Sequence, residues 1–436
     1  MFKPWTSPKA IAEGSTIRSY VRETATEHGI DQHIRFHHKV TRAEWSSAQA
    51  RWTVTVEAGG ETSPKQMTCS FLFMCSGYYK YEAGFTPHFE GLDSFAGDVV
   101  HPQKWTEDID YSGKSVVVIG SGATAVTLVP EMAKSAAHVT MLQRSPTYIV
   151  SRPSTDKIAN MVRRFLPGGV AYKVSRWKNI LLGMFFYNRS QKRPERVKRR
   201  LLQMTRDELG PNFDIETHFT PKYNPWEQRL CLVPDSDLFA ALKSGKASVV
   251  TDHIEKFDSQ GVQLKSGERL DADLVVTATG LELQMFGGME ICVDGRDIQP
   301  GELVNYKGMM FADLPNFANT FGYTNASWTL KADLTSHYVC RLINHMDRIG
   351  ATHCTPRLKA EDVTVDREAP LSSGYFARAL DRLPKQGSRM PWKINHNYFK
   401  DMMALRFDEV EDGEMEFATA EPEMPAIMET VSAATS

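Results

Sequence analysis

The sequence predicts an α/β fold in which parallel strands alternate with helices around dinucleotide-binding turns. The clearest evidence is a strand–glycine turn–helix–strand unit over residues 114–143. A second observation is that two further apolar strands end in a polar residue followed by glycine, at Ser76-Gly77 and Thr279-Gly280. The third is length, because 436 residues are enough for two or three domains. Together these observations predict a βαβ unit of the Rossmann type within a chain of two or three domains.

Composition limits the classes of protein to consider. Hydrophobic residues make up 42% and charged residues 24% of the chain, as in ordinary globular enzymes. The net charge of −2 provides no basic field for nucleic acid. We find no secretory signal and no apolar run of membrane-spanning length. The six cysteines form no C-x-x-C pair, which argues against a zinc site or a dithiol reductase and suits a reducing cytoplasm.

Hydrophobic periodicity predicts the elements in order. A helix is expected at residues 15–29, where an apolar face lies between a serine and a glycine. A hairpin is expected at residues 261–270, turned by Ser266-Gly267. A second helix is predicted over 126–133, and strands over 34–40, 51–57, 71–75, 115–119, 139–142, 247–251 and 274–278.

The 114–143 unit matches the dinucleotide-binding pattern G-x-G-x-x-[GA] in the context that gives it meaning. The apolar run Ser115–Ile119 precedes the turn, and a helix follows it. Gly120 permits a tight turn, Gly122 lets the backbone approach a pyrophosphate, and Ala125 allows close helix–strand packing. The alternative is a plain glycine turn, which the context disfavours. The predicted contacts comprise Gly120, Ser121, Gly122, Ala123, Thr124, Ala125, Val126 and Thr127.

The end of the next strand indicates which coenzyme binds. An NAD site carries an acidic residue there for the ribose 2′-hydroxyl. This chain has Gln143, Arg144 and Ser145 instead. A guanidinium can form paired hydrogen bonds with a 2′-phosphate, whereas a carboxylate would repel it. We therefore predict NADPH, with Arg144 on the phosphate and Ser145 assisting.

A further motif lies just upstream, at residues 95–106, and reads FAGDVVHPQKWT. With Phe95, Gly97, His101 and Trp105 at fixed spacings, it resembles the fingerprint of Baeyer–Villiger monooxygenases, a branch of the flavin-containing monooxygenases. Thr106 departs from the Pro or Asp of that fingerprint. Taken alone, His101 could also be an ordinary half-buried histidine.

The resemblance extends over nearly the whole chain. Residues 119–150, 223–239 (YNPWEQRLCLVPDSDLF) and 322–334 (GYTNASWTLKADL) are very similar to members of that family, and residues 271–280 (DADLVVTATG) resemble its interdomain linker strand. It implies a flavoprotein with Rossmann-like FAD and NADPH domains. It also implies that the enzyme inserts one oxygen atom from O2 into ketones, or oxidises sulfur substrates such as thioamides, through a C4a-peroxyflavin.

The resemblance also assigns two residues outside the coenzyme turn. Arg229 matches an arginine that is essential near the flavin, and a guanidinium suits this role because it stabilises anions without donating its proton. From spacing alone, Arg229 could equally be an exposed loop arginine. Val40 matches a position whose backbone contacts the adenine of FAD.

By the same resemblance, residues 1–112 are expected to be the remainder of the FAD-binding domain and a linker, and residues 113–275 the NADPH domain with a helical insertion near 155–225. Residues 276–418 would complete the FAD domain, and 419–436 would be a disordered tail. The family's first G-x-G-x-x-G is not among these residues. We therefore expect the FAD domain to be incomplete at its N-terminus, and the polypeptide alone to hold FAD weakly and to be unstable or inactive.

Alternatives remain at this stage. A flavin monooxygenase that oxidises nitrogen or sulfur differs in product, and a non-catalytic NADPH-binding remnant would bind coenzyme without oxygen uptake. Residues 161–200 hold twelve Lys or Arg against one acid, Glu195. This basic segment is either a solvated helical face or a peripheral contact with anionic lipid through Arg163, Arg164, Lys198, Arg199 and Arg200.

Overall fold

The computed structural model describes residues 3–228, 230–359, 365–366 and 373–420. Within those ranges the helices are α1 (Gly14–Glu27), α2 (Ala123–Met132), α3 (Lys157–Phe165), α4 (Gly168–Lys192), α5 (Pro194–Leu209), α6 (Ile215–Phe219), α7 (Asp237–Lys243), α8 (Trp328–Ile349), α9 (Gly374–Ala379) and α10 (Tyr398–Arg406). Short 3-10 turns lie at Asp31–His33, Leu92–Ser94, Pro102–Lys104, Met285–Gly288, Pro300–Glu302 and Leu380–Arg382.

The strands of the first half are β1 (His38–Ser46), β2 (Arg51–Ala58), β3 (Lys65–Cys69), β4 (Leu72–Met74), β5 (Asp98–Val100), β6 (Ser115–Ile119), β7 (His138–Gln143), β8 (Ile149–Arg152), β9 (Cys231–Pro234), β10 (Ala247–Thr251), β11 (Ile254–Asp258) and β12 (Gly261–Leu264). Those of the second half are β13 (Arg269–Asp271), β14 (Leu274–Val276), β15 (Glu290–Val293), β16 (Arg296–Ile298), β17 (Asn305–Tyr306), β18 (Met310–Phe311), β19 (Phe317–Asn319), β20 (His353–Pro356), β21 (Val365–Asp366), β22 (Gln386–Gly387) and β23 (Met415–Ala418).

The predicted dinucleotide unit forms the centre of a five-stranded sheet in the order β10-β7-β6-β14-β5. All four pairings in this sheet are parallel. Strand β6 is buried on both faces, because its β-branched run packs against helices on one side and against strands β11 and β12 on the other. The carboxyl ends of the strands therefore share one edge, where the coenzyme turn lies.

Within the described residues, the remaining strands form a second five-stranded sheet, a three-stranded sheet and several two-stranded pairs. Strands β16-β15-β1-β2-β3 make the largest of these, with Trp45 and Trp52 fully buried beneath it. Strands β4 and β19 pair in parallel, with Leu72 opposite Phe317 and Met74 opposite Asn319. This mixed architecture confirms the predicted α/β class.

Two connecting segments join the parallel sheet to the rest of the molecule, and they pair with each other. One follows Gly77 and the other follows Gly280, the two strand-then-glycine endings of the sequence. Tyr79 forms a β-bridge with Leu283, and the Phe85 amide donates to the Gly280 carbonyl at 3.0 Å. The chain thus crosses between the two halves twice at the same place.

Most predicted elements are confirmed, including the hairpin of β12 and β13 and the helix now bounded as α2. The strand predicted at residues 34–40 is wrong in its first half, because β1 begins only at His38. His37 has a φ of 56°, which breaks the extended conformation, and Phe36 before it is exposed. Residues 421–436 of the predicted tail lie outside the described residues.

Candidate functional site

The coenzyme turn follows β6 and leads directly into α2. Gly120 has a φ of 140°, and a Cβ built there would lie 2.3 Å from the Ala278 carbonyl oxygen. Any side chain at this position would therefore collide with the end of β14. The turn is held from the other side by the Gly120 amide, which donates to the Leu142 carbonyl at 2.8 Å.

No contact within the protein requires glycine at position 122. Its φ is −80°, and a Cβ built there would meet nothing within 4 Å. Because Gly122 has no side chain and the first turn of α2 holds no acidic residue, the first amides of the helix are uncapped and face open space. Uncapped amides at a helix N-terminus bind anions. The open space at Gly122 is the room that a pyrophosphate would occupy.

The other residues predicted to contact the coenzyme are either exposed or buried. Gly122, Ala123 and Thr124 are exposed, and Ser121 holds the neighbouring loop through its hydroxyl, which lies 3.1 Å from the Ser145 carbonyl and 3.0 Å from Thr147 Oγ1. Ala125 and Val126 are buried in the core, where Ala125 allows α2 to approach the sheet. Thr127 is exposed, but its hydroxyl donates to the Ala123 carbonyl within the helix.

Arg144 lies just beyond β7 at the same edge of the sheet. Gln143 before it is buried and fixed by hydrogen bonds of 2.8 Å to the His218 carbonyl and to Thr251 Oγ1. Arg144 and Ser145 are both exposed. Among the residues the structure describes, Arg144 forms no ion pair or side-chain hydrogen bond, so its guanidinium is available for a phosphate.

Replacing Arg144 by alanine should weaken NADPH binding about tenfold to hundredfold, the usual value of hydrogen bonds to a charged group. Binding of NADH, which has no 2′-phosphate, should change little. Fluorescence titration of both coenzymes measures the two dissociation constants. Equal losses for both would contradict the assignment of Arg144.

Gly122→Ala provides the matched control. The methyl group has room in the folded chain and strains no backbone angle, so the thermal stability should match that of the parent. It would, however, project into the space assigned to the pyrophosphate, which both coenzymes share. NADPH and NADH should therefore weaken together.

The fingerprint residues pack around the sheet that carries this site. Phe95 is buried against Phe257, and a Cβ on Gly97 would lie 2.4 Å from the Asp273 carbonyl oxygen, so β5 can pass this close to β14 only with glycine there. Trp105 is half-buried and packs edge-on against Tyr111.

His101 connects the two linker segments. Its Nδ1 accepts from the Gln103 amide at 3.2 Å, so Nε2 carries the proton and donates to the Gly280 carbonyl at 3.1 Å. A Cβ on Gly84 would lie 1.9 Å from the ring, so the ring rests directly on that glycine. The simple reading of His101 as a half-buried histidine was incomplete, because the ring joins three separate segments.

A second candidate ligand site lies at the sheet edge formed by the carboxyl ends of β4 and β19. There the chain continues through Ser76-Gly77 and through Thr320, and parallel strands bind ligands at this end. The buried atoms Ser76 Oγ and Asn319 Oδ1 have no hydrogen-bond partner among the described residues. Val40 is half-buried in β1, beside a register shift in its pairing with β2. The two unpaired buried oxygens are suited to hydrogen bonds with a polar ligand at this edge. Among the described residues, the only strand–glycine turn–helix unit of the dinucleotide-binding type is that of β6 and α2.

An aromatic cluster packs behind this edge. Tyr78 is buried and stacks on Trp328 with ring centroids 4.6 Å apart, and Phe321 and Tyr79 lie beside it. Gly322 is needed because a Cβ there would fall within 2.1 Å of the Trp328 ring. Sequence reasoning missed this cluster, although the aromatic residues of GYTNASW were a signal for it.

A cavity of about 690 Å³ opens between α4, the N-terminal segment and two loops. Its walls are more apolar than polar and include Trp5, Tyr172, Met184, Tyr187, Asn325 and Tyr398. Tyr187 packs edge-on against Trp226, with ring centroids 5.9 Å apart. Trp226 stands three positions before Arg229 in the sequence, and Arg229 itself lies outside the described residues.

The fold matches that of solved flavoproteins with two dinucleotide-binding domains. The chain matches the solved structure of an oxidised steroid monooxygenase bound to NADP with a TM-score of 0.73 and 20% identity. The match covers 95% of this chain and 87% of that one. A likeness at this identity establishes the fold.

Sequence comparison identifies the family. Residues 7–166 match the flavin-binding monooxygenase-like family. The chain is 51% identical to the FAD-containing monooxygenase EthA of Mycobacterium tuberculosis, covering 96% of this chain and 85% of EthA. It is 47% identical to the probable FAD-binding monooxygenase AlmA of Acinetobacter baylyi, covering 95% of this chain and 84% of AlmA. The chain belongs to the flavin-binding monooxygenase family, which supports the enzyme over the non-catalytic alternative.

Proposed function

We propose that the protein is an NADPH-consuming FAD monooxygenase that inserts one oxygen atom of O2 into ketones or oxidises sulfur-containing substrates. The single observation that carries the proposal is the coenzyme turn, in which Gly122 and the uncapped amides of α2 lie beside Arg144, a residue that forms no ion pair with any described residue. Bound FAD would supply the electron transfer that activates O2. Relatives at about half identity over nearly the whole chain are named for FAD and monooxygenation, which supports this assignment.

Different residues of the chain would bind NADPH, bind the flavin nucleotide and stabilise charge during the reaction. The turn at 120–125 would hold the coenzyme pyrophosphate, and Arg144 and Ser145 would hold its extra phosphate. The edge formed by Ser76 and Asn319 would meet the flavin nucleotide, with Val40 on the adenine side. Arg229 would stabilise negative charge that develops during oxygen transfer, because its high pKa keeps it from donating a proton.

The cavity beside α4 is our proposed substrate site. Its volume suits a small organic molecule, and its apolar walls favour one with little charge. Asn325 belongs to the loop that follows β19, so the cavity and the proposed flavin edge share one segment of chain. Tyr187 links the cavity to the segment that carries Arg229. We also propose a cytoplasmic location, which the absence of a disulfide bond among the six cysteines supports.

The test supplies the chain with NADPH, O2 and a ketone or a sulfide, and with saturating FAD to offset the weak FAD binding expected of the polypeptide alone. We expect NADPH and O2 to be consumed in equal amounts, with one atom of ¹⁸O from ¹⁸O2 in the product. An ester from the ketone would identify Baeyer–Villiger chemistry, and a sulfoxide from the sulfide would identify heteroatom oxidation. NADPH binding without any oxygen uptake at saturating FAD would contradict the proposal.

A further inference from the structure

Helices α3 and α4 present a continuous set of large apolar side chains to solvent. The α3–α4 apolar surface consists of Ile158, Met161, Phe165, Val170, Val174, Trp177, Leu181 and Phe185, all exposed. Phe165 is 74%, Leu181 59% and Phe185 57% exposed. Single exposed apolar residues are ordinary, but a patch of eight on adjoining helices indicates a binding surface.

The spacing shows that this surface is one face of each helix. In α4 the five residues recur every three or four positions, which aligns them along a single stripe. The opposite side of α4 is already used, since Ala171 and Ile180 are buried and line the cavity. A surface helix normally turns its apolar stripe to the core and its polar side outward. Here the apolar stripe of α4 faces solvent, while its cavity side includes Ser175, Arg176 and Asn179.

Positive charge surrounds this surface. Residues 161–200 carry twelve basic residues and one acid. Those that are exposed in the structure are Arg164, Lys173, Lys192, Arg193, Arg196, Arg199 and Arg200. Arg163 is not among them, because its guanidinium is held by the carbonyls of Trp5 and Ser7, and the Lys198 amine donates to the Pro221 carbonyl.

We propose that the α3–α4 apolar surface docks on an anionic lipid bilayer, with the surrounding cations on the headgroups. Apolar side chains beside a cationic rim are the features that place an amphipathic helix in a membrane interface. A second copy of the chain fits less well, because two-fold association would bring the same cations together. No helix in the described part of the chain is long and apolar enough to cross a bilayer, so the contact is peripheral.

The experiment is sedimentation of the full 436-residue chain with vesicles of phosphatidylcholine alone or mixed with phosphatidylglycerol. We expect sedimentation with the anionic vesicles at low salt, and much less at high salt or with neutral vesicles. The double substitution Leu181→Ser/Phe185→Ser should reduce binding to anionic vesicles by at least about tenfold. Lys192→Glu/Arg196→Glu should reduce it chiefly at low salt.

Phe36→Ser is the matched control, because Phe36 is 69% exposed but lies outside this surface. It should bind vesicles like the parent, and unchanged circular dichroism melting would show that each variant folds. Equal binding of the parent to neutral and anionic vesicles, or no binding to either, would overturn the proposal. So would full binding by Leu181→Ser/Phe185→Ser. If that variant instead converts a dimeric parent to a monomer without affecting sedimentation, a second copy covers this surface.

Discussion

Replacing Arg229 by alanine is expected to lower the rate of oxygenated product formation by about 10² to 10³-fold or more, the range seen when a stabiliser of transition-state charge is removed. Oxygen transfer to a carbonyl builds negative charge on the reacting oxygen atoms. A guanidinium stabilises that charge and keeps its own proton. The measurement is product formation by chromatography, with the coenzyme dissociation constant determined in parallel.

The two readouts separate chemistry from binding. Arg229→Ala should bind NADPH like the parent, because the coenzyme turn and Arg144 are elsewhere in the sequence. Arg229→Lys retains a positive charge without the planar, paired donors, so it should recover only part of the rate. Undiminished oxygenation by Arg229→Ala would remove this residue from the mechanism.

The second large effect is expected on the free energy of unfolding, when a buried ion pair between α8 and α10 is broken. Lys331 Nζ lies 2.8 Å from Asp401 Oδ2, and the two side chains are 4% and 5% exposed. The Tyr323 hydroxyl donates to the same carboxylate at 2.7 Å. Burial lowers the pKa of Lys331, and the neighbouring Asp401 opposes that shift. The ion pair therefore joins α8 to α10, and the Tyr323 hydrogen bond holds the loop after β19 against α10.

Asp401→Ala would remove the acceptor of the Tyr323 hydroxyl and the counter-charge of the buried Lys331 ammonium, which would keep only the Lys307 carbonyl at 3.2 Å. We expect the free energy of unfolding to fall by about 3–5 kcal/mol, measured by urea denaturation with FAD held constant. Lys331→Met combined with Asp401→Leu removes both charges and should recover much of that loss. Glu61→Ala, which breaks the exposed pair with Lys65, should cost less than about 1 kcal/mol. A loss from Asp401→Ala as small as this control would contradict the role assigned to the pair.

Local patterns were sufficient to predict the coenzyme unit. The β-branched run of β6, the glycines at 120 and 122 and the helix after them are contiguous, so their physical roles can be inferred without tertiary contacts. Strand β1 shows the limit of this method. Residues 34–40 have a strand composition, but the positive φ of His37 divides them, and no local pattern indicates this turn.

Long-range contacts explain what the sequence did not predict. His101 donates to Gly280, which is 179 positions away, and Lys331 pairs with Asp401 at a separation of 70. The β-bridge between Tyr79 and Leu283 joins two segments whose only common feature in the sequence analysis is that each follows a strand ending in glycine. Lys331 did carry a weak signal, since it interrupts the apolar face of α8 that includes Leu330 and Leu334. Its partner could be identified only from the folded chain.

The most direct test of the central claim is a crystal structure of the protein with NADP⁺. We expect the pyrophosphate on the first amides of α2 above Gly122, and the 2′-phosphate in contact with the Arg144 guanidinium. A coenzyme bound elsewhere, with the turn empty or Arg144 directed into solvent, would contradict the account.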